Sequence, residues 1–168
     1  FVVAETQAQA RDAAEMIAVD YAPLQAVADI ENAAAPGAPA VWPDCPDNIS
    51  FVEEKGDAAA VDAAFAKADH IVRQKMVINR VTAVAMEPRG CLGDYDSRQD
   101  RYTLYTGLQN PHPLRYQIAR QVFDIPETSV RVIPGDVGGS FGMRGGTYNE
   151  LVLVLWASRL VGRPVKWR

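Results

Sequence analysis

A glycine-dense loop at residues 134–142, Pro-Gly-Asp-Val-Gly-Gly-Ser-Phe-Gly, carries the most chemical information in this 168-residue chain. The loop follows a strand-like run, Val130 to Ile133, and precedes a helical pattern. Glycine reaches positive φ without a steric penalty, so Gly138, Gly139 and Gly142 allow successive backbone N–H groups to converge on one point. Converging N–H groups bind anions or the oxygens of a metal-oxo group.

Two alternatives to an oxygen-binding loop remain open. The glycine spacing fits neither the G-x-G-x-x-G dinucleotide fingerprint nor a P-loop. Residues 138–142 do match G-x-S-x-G, the nucleophile elbow of serine hydrolases, with Ser140 as the nucleophile. In that fold the Asp and His partners follow the serine, whereas both histidines of this chain, His70 and His112, precede it. The other alternative is a plain turn that joins a strand to a helix.

A second polar motif, Thr-Gly-Leu-Gln-Asn-Pro at residues 106–111, ends the strand-like run from Tyr102 to Tyr105. A helix from Pro113 to Phe123 is predicted to follow it. A carboxamide donates hydrogen bonds to oxygen, so Gln109 at the strand end is a candidate partner for the same ligand as the glycine loop.

Capping signals predict the last elements. Thr147 and Glu150 have capping-box spacing ahead of an apolar run, which predicts that a helix begins at Thr147. Gly162 suits a left-handed C-cap and a proline follows two residues later, so this helix should end near Val161. Residues 165–168 are then predicted to form a strand.

Several ordered motifs resemble the molybdopterin-binding large subunit of the xanthine dehydrogenase, aldehyde oxidase and aerobic carbon monoxide dehydrogenase family. The resemblance covers nearly the whole chain. The segments that carry it are Val19-Asp20-Tyr21, Gly56-Asp57, Met86-Glu87-Pro88-Arg89, Gln109-Asn110-Pro111, Arg131-Val132-Ile133, the loop at 136–142, and Gly162-Arg163-Pro164-Val165-Lys166-Trp167. Gly-Gly-Ser-Phe-Gly-Met followed by Arg is similar to the branch labelled carbon monoxide dehydrogenase type, many of whose members hydroxylate aldehydes or heterocycles.

The resemblance implies roles for the residues of both motifs. The implied cofactor-binding residues are Gln109, Gly138, Gly139, Ser140, Phe141 and Gly142. The implied substrate pocket consists of Phe141, Arg144 and Gly145. Gln109 would hydrogen-bond the apical oxo ligand of molybdenum. Gly145 stands where purine-oxidising relatives carry a glutamate, which argues against xanthine as the substrate.

The implied cofactor is molybdopterin with molybdenum, in the cytosine dinucleotide form. An iron–sulfur small subunit and an FAD-binding medium subunit would receive the electrons after a water-derived oxygen enters a C–H bond. The expected substrate is an aldehyde, an N-heterocycle or a similar small molecule. The family's glutamate base is expected beyond residue 168, so no catalytic residue and no metal ligand is predicted here, and the chain alone should be inactive. The alternative function is a noncatalytic or degenerate interaction scaffold of the same fold.

We predict an α+β chain that is a fragment of a longer subunit. Residues 1–29 should form strand, helix and strand, with a capping box at Thr6 and Gln9, and resemble the C-terminal end of an α/β hammerhead domain. The Ala- and Pro-rich residues 30–50 are predicted to be a linker. Residues 51–168 would be the first molybdopterin-binding domain, truncated.

Within that last domain, Asp57 is predicted to open a helix. Alternating side chains predict a long strand from His70, and further strands are predicted at Cys91 and Tyr102. Glu87, beside a proline turn, is expected to accept backbone hydrogen bonds and to have a structural role.

Charge and cysteine content exclude several classes of protein. The net charge is −4, with no dense basic patch, which argues against nucleic-acid binding. Residues 111–168 are basic, and their arginines are expected to face an anionic cofactor, another subunit or solvent. Cys45 and Cys91 fit no zinc or iron–sulfur spacing and are predicted to be free thiols. No run of about eighteen apolar residues predicts a membrane span, and the cytoplasm is the default location.

Overall fold

The computed structural model describes residues 1–78 and 81–168. Contacts divide the chain into two units: Phe1–Met16 together with Ile78–Arg168, and Ile17–Val77. The mixture of helices and one sheet confirms the predicted α+β class. All of the predicted site residues belong to the first unit. The predicted boundaries of the hammerhead segment, the linker and the cofactor domain stay predictions.

The first unit is built on a four-stranded sheet in the order β3-β2-β1-β4. Its strands are β1 (Cys91–Asp96), β2 (Arg101–Thr106), β3 (Val130–Pro134) and β4 (Val165–Trp167), which confirms all four predicted strands of this region. β2 and β3 run parallel, with Thr106 opposite Pro134. Because parallel strands end at the same edge of a sheet, the Gln109 motif and the glycine loop start side by side.

A helical crossover joins the two parallel strands, as such a connection requires. It consists of α3 (Pro111–Tyr116), a π-helical continuation (Gln117–Val122) and a 3₁₀ turn (Glu127–Ser129). The helix begins earlier than the predicted Pro113, because a proline at the first helical position needs no hydrogen-bond partner for its nitrogen. The buried Leu114, Ile118 and Ala119 fix this segment to the core.

The helix α4 (Asn149–Val161) packs against β1 and β2. Its buried residues recur at helical spacing and are Leu151, Val154, Leu155, Ala157 and Ser158. Close approach depends on Gly93 of β1, where an added Cβ would lie 2.6 Å from the carbonyl carbon of Val154. A glycine in the middle of this strand is therefore a packing requirement.

The two ends of α4 test the capping predictions differently. Gly162 has φ of 65°, so the predicted left-handed cap after Val161 is confirmed. The predicted capping box is wrong, because the N-cap is Tyr148 and makes no side-chain cap bond. The hydroxyl of Thr147 instead donates to Oε1 of Gln117. This contact with the crossover moves the helix start two residues along the chain.

Two other helices have the predicted caps. In α1 (Gln7–Glu15), Thr6 and Gln9 form the predicted capping box. In α2 (Ala58–Ala66), the Asp57 side chain accepts a hydrogen bond from the Ala60 N–H.

The predictions of strands on both sides of α1 and from His70 onward are wrong for the described residues, which form no strand there. A strand needs a hydrogen-bonded partner strand, and none is present beside these segments in the described part of the chain. Residues 30–50 contain turns and an isolated bridge between Trp42 and Cys45.

Candidate functional site

The candidate site lies where β2 and β3 end. The backbone N–H of Gln109 donates to the carbonyl oxygen of Arg144 at 3.2 Å. A Cβ built on Gly145 would lie 3.8 Å from Oε1 of Gln109 and 3.7 Å from Nδ2 of Asn110. The structure therefore brings Gln109 and Gly145 together, and Asn110 joins them although its side chain had no predicted role.

Three residues of the glycine loop between β3 and α4 have positive φ. Gly139 has φ of 107° and Gly142 has φ of 88°, as predicted, and Phe141 between them has φ of 53°. Positive φ is unusual for a bulky side chain, so the backbone of this loop is held in place by its surroundings. Gly138 differs from the prediction because its φ is not positive.

Glu87 provides much of that support from a segment far away in sequence. Its Oε2 accepts a hydrogen bond from the Gly138 N–H at 2.7 Å and another from Nη1 of Arg144 at 2.7 Å. The backbone N–H of Glu87 donates to the Gly138 carbonyl at 3.4 Å. The pKa of Glu87 is consequently lowered, first by the hydrogen bond from Gly138 and then by the one from Arg144. The expected structural role of Glu87 is thus confirmed.

Arg144 is the buried half of this Glu87–Arg144 pair. Only 3% of the residue is exposed, against 42% of the Glu87 side chain. Its guanidinium also donates to the carbonyl oxygens of Glu87 and Pro88. The cavity beside Arg144 measures about 20 Å³, which is room for little more than a water. That Arg144 lines a substrate pocket stays a prediction.

Two glycines leave space for the Glu87–Arg144 pair. A Cβ on Gly138 would lie 2.6 Å from the Cβ of Glu87, and one on Gly107 would lie 2.5 Å from Nη1 of Arg144. Both distances are shorter than any normal contact, so the absence of side chains at these positions allows the pair to form. Gly138 is therefore required for close packing and not for positive φ.

The opposite side of the loop is open. Phe141 is 80% exposed, and nothing lies within 4 Å of a Cβ built on Gly142 or Gly146. The carboxamides of Gln109 and Asn110 are exposed at the same edge and make no hydrogen bond with other described side chains. The arrangement thus presents free amide donors beside bare backbone, which can accommodate an oxygen-rich ligand.

Ser140 does not occupy the position of a hydrolase nucleophile. Its Oγ accepts a hydrogen bond from the Arg144 N–H at 3.1 Å. The residue lies well beyond the end of β3 at Pro134 and well before α4 begins at Asn149, whereas an elbow serine lies on the sharp turn between strand and helix. Ser140 closes a turn of the loop.

The remaining candidates belong to neither of the two motifs. Both cysteines are free thiols, as predicted, and burial raises the pKa of Cys91 to about 12. His112 lines a different pocket, together with arginines of β2 and β3. Across residues 1–78 and 81–168, no helix is long and apolar enough to cross a membrane, and no cluster of His, Cys, Asp or Glu could hold a metal ion.

Sequence reasoning missed the connection between Glu87 and Arg144. The two residues lie in separate motifs, and neither helical nor strand periodicity relates positions so far apart. The only feature of the sequence that could have indicated this contact is the pair of glycines at Gly107 and Gly138. A side chain at either position would block the Glu87–Arg144 pair.

The geometry shows two polar motifs that meet at the shared end of two parallel strands, beside an open loop. Residues 41–168 match the molybdopterin cofactor-binding domain family, so the chain belongs to that family. The family predicted from the ordered motifs is therefore confirmed.

Relatives of known name agree with this assignment. The chain is 36% identical over 159 residues to the 6-hydroxypseudooxynicotine dehydrogenase complex subunit gamma of Paenarthrobacter nicotinovorans, covering 94% of this chain and 19% of that protein. It is 35% identical to the carbon monoxide dehydrogenase large chain of Hydrogenophaga pseudoflava, covering 99% and 22%. Across these relatives the chain spans about a fifth of their length.

Solved structures share the fold. Reconstituted CO dehydrogenase from Oligotropha carboxidovorans superimposes with a TM-score of 0.84 at 32% identity, covering 96% of this chain and 21% of that one. Aldehyde oxidoreductase from Desulfovibrio gigas gives a TM-score of 0.80 at 27% identity, covering 98% and 18%. The described fold therefore matches about a fifth of each of these two chains.

Proposed function

We propose that this chain forms one wall of the molybdopterin site in the large subunit of a molybdenum hydroxylase. The observation that carries the proposal is the meeting of the Gln109 carboxamide with the open glycine loop at the shared end of β2 and β3. Free amide N–H groups suit oxo and phosphate oxygens, and the bare backbone at Gly142 and Gly146 leaves room for a bulky group. The residues present therefore fit the cofactor chemically.

Within this proposal the predicted cofactor residues have different tasks. Gln109 donates to an oxygen of the cofactor, and the backbone from Gly139 to Gly142 faces it. Gly138 has already given its N–H to Glu87, so it shapes the loop and does not contact the cofactor. Ser140 likewise closes the turn through the Arg144 N–H.

The Glu87–Arg144 pair positions both motifs at once. The side chain of Arg144 binds the segment at Glu87, its N–H binds Ser140, and its carbonyl oxygen accepts the Gln109 N–H. One buried residue thereby fixes the distance between the carboxamide and the loop. Fixed donors are effective in catalysis because they need no reorganisation when charge develops.

When bound, the molybdenum cofactor supplies the two-electron oxidation that inserts a water-derived oxygen into a C–H bond. This chain contributes the walls of the site. Phe141 offers an exposed ring to an apolar or aromatic substrate. Gly145 offers no side chain, so no carboxylate is available there to bind a purine.

We propose an aldehyde, an N-heterocycle or a similar small molecule as the substrate. A relative named nicotine 6-hydroxylase large subunit, from Paenarthrobacter nicotinovorans, is 35% identical over 167 residues and supports the N-heterocycle. The cytosine dinucleotide form of the cofactor, an iron–sulfur small subunit and an FAD-binding medium subunit complete the proposal. Relatives named as large or gamma subunits support an assembly of several chains.

The proposal is tested on the native protein purified with its partner subunits. Gln109→Ala should lower kcat by about a hundred- to a thousandfold while molybdenum content is unchanged. Gln99→Ala is the matched control, because Gln99 is an exposed carboxamide on the turn between β1 and β2. Equal activity of both variants would refute the role of Gln109.

If the protein is made in a host that produces the cofactor and still contains no molybdenum, the proposal that it is a molybdenum hydroxylase is refuted. That result would favour the noncatalytic scaffold, which keeps the fold without the cofactor.

A further inference from the structure

A second pocket lies beside the crossover helix. Its volume is about 110 Å³, well above the roughly 10–15 Å³ that one water requires. We call it the arginine pocket after its polar lining, which is Arg101, His112, Arg115 and Arg131. Its apolar walls are Pro111, Val130 and Val132. No predicted cofactor or substrate residue lines it.

The fold explains why these side chains meet. His112 and Arg115 are three residues apart and share one face of α3. Arg131 lies on β3, which is at the edge of the sheet beside β2. Arg101 is the first residue of β2, and its neighbour Tyr102 pairs with Val130. The parallel crossover therefore collects cations from three separate elements.

The positive charge of the arginine pocket is only partly neutralised. Arg115 donates through Nε and Nη2 to Glu127 at 3.2 and 3.0 Å. The Nε of Arg101 is buried and has no hydrogen-bond partner among the described residues. Arg131 is exposed and forms no ion pair within the described chain. Among the described residues, the three guanidinium groups that line the pocket form one ion pair, between Arg115 and Glu127. The unsatisfied buried donor of Arg101 is costly.

We propose that the arginine pocket binds a phosphate-class oxyanion, either inorganic phosphate or the phosphate group of a small ester. Guanidinium groups bind phosphate through paired N–H donors in a fixed fork. The imidazole of His112 adds an N–H donor in either protonation state. Arg101 lines the pocket as well and supplies a third guanidinium for the ligand.

This proposal is independent of the molybdenum site. It concerns different residues, and it holds even if the chain lacks the cofactor. Its test therefore uses binding and not turnover.

The experiment is isothermal titration of the native protein with inorganic phosphate, at constant ionic strength maintained with chloride. Arg131→Ala should weaken phosphate binding by about tenfold or more, because one charge-assisted interaction is lost. Arg120→Ala is the matched control. Arg120 is an exposed arginine on the adjacent π-helical segment and does not line the pocket, yet its loss changes the net charge equally.

A second titration with a nucleoside monophosphate distinguishes the two sources of the phosphate group. Binding tighter than that of inorganic phosphate and weakened by Arg131→Ala would assign a phosphate ester. Equal or weaker binding, with the same dependence on Arg131, would assign the free anion. The proposal is overturned if phosphate does not bind in the millimolar range or tighter, or if Arg120→Ala weakens binding as much as Arg131→Ala does.

Discussion

Replacing Arg144 by methionine should loosen the loop and the Gln109 segment together. Methionine has a similar length but no charge and no N–H donors. The change removes the guanidinium that joins the Glu87 carboxylate to the carbonyl oxygens of Glu87 and Pro88. The backbone bonds of Arg144 to Ser140 and Gln109 remain possible, so the perturbation is confined to the side chain.

The size of the effect follows from burial on the two sides of the Glu87–Arg144 pair. Breaking a fully buried pair costs about 3–5 kcal/mol. Here the Arg144 side chain is 2% exposed but the Glu87 side chain is 42% exposed, so water can hydrate the carboxylate that is left. We therefore expect a cost of about 2–3 kcal/mol for removing the guanidinium. Opening of the loop should become about 30- to 150-fold more frequent.

Amide hydrogen exchange measured by mass spectrometry reports this opening locally, in peptides that contain the loop and Gln109. Arg115→Met is the matched control, since Arg115 also binds a glutamate but its side chain is 40% exposed. An exposed pair contributes about 1 kcal/mol or less. The reasoning is refuted if Arg144→Met accelerates exchange in these peptides by less than about tenfold. It is also refuted if Arg115→Met accelerates exchange in the peptides around Arg115 by as large a factor.

Three further outcomes are expected. Hydrogen bonds hold the pKa of Glu87 below its ordinary 4.5, so loop protection should be constant from pH 7 to about 5 and fall only below the ordinary value; loss of protection already between pH 7 and 5 would contradict this. Gly93→Ala should lower the free energy of unfolding by about 1–3 kcal/mol, because its Cβ meets the α4 backbone. Gly135→Ala, with nothing within 4 Å of its Cβ, should change little in the same denaturation experiment. Because the pKa of Cys91 is about 12, a thiol reagent at pH 8 should modify Cys45 before Cys91, and peptide mapping that found the reverse order would be inconsistent with the burial of Cys91.

Local signals in the sequence were sufficient for much of the fold. A left-handed glycine cap and an N-terminal capping box depend on a few neighbouring residues, so Gly162 and Thr6 were predicted correctly. Thr147 had the same spacing signal, but a tertiary hydrogen bond to Gln117 displaced it from its cap. The prediction of a strand from His70 was wrong for a related reason. Alternating side chains indicate which face of a strand is apolar, but they do not show which other strand it pairs with.

The sequence was sufficient to select the residues of the site, but it did not show how their side chains contact one another. Gln109 and the loop could be selected from residue type, and the parallel pairing of β2 with β3 brings them together. The inward orientation of Arg144 depends on Glu87, which no local rule connects to it. The arginine pocket is likewise a product of the crossover, because its cations come from three elements that are adjacent only after folding.

The most direct test of the account is the molybdenum and pterin content of the native protein, purified with its partner subunits from a host that makes the cofactor. Elemental analysis and mass spectrometry of the released pterin should find about one molybdenum and one molybdopterin for each copy of this chain. The loaded protein would then be assayed with aldehydes and N-heterocycles. Correctly folded and assembled protein that contains neither molybdenum nor pterin would contradict the proposed function.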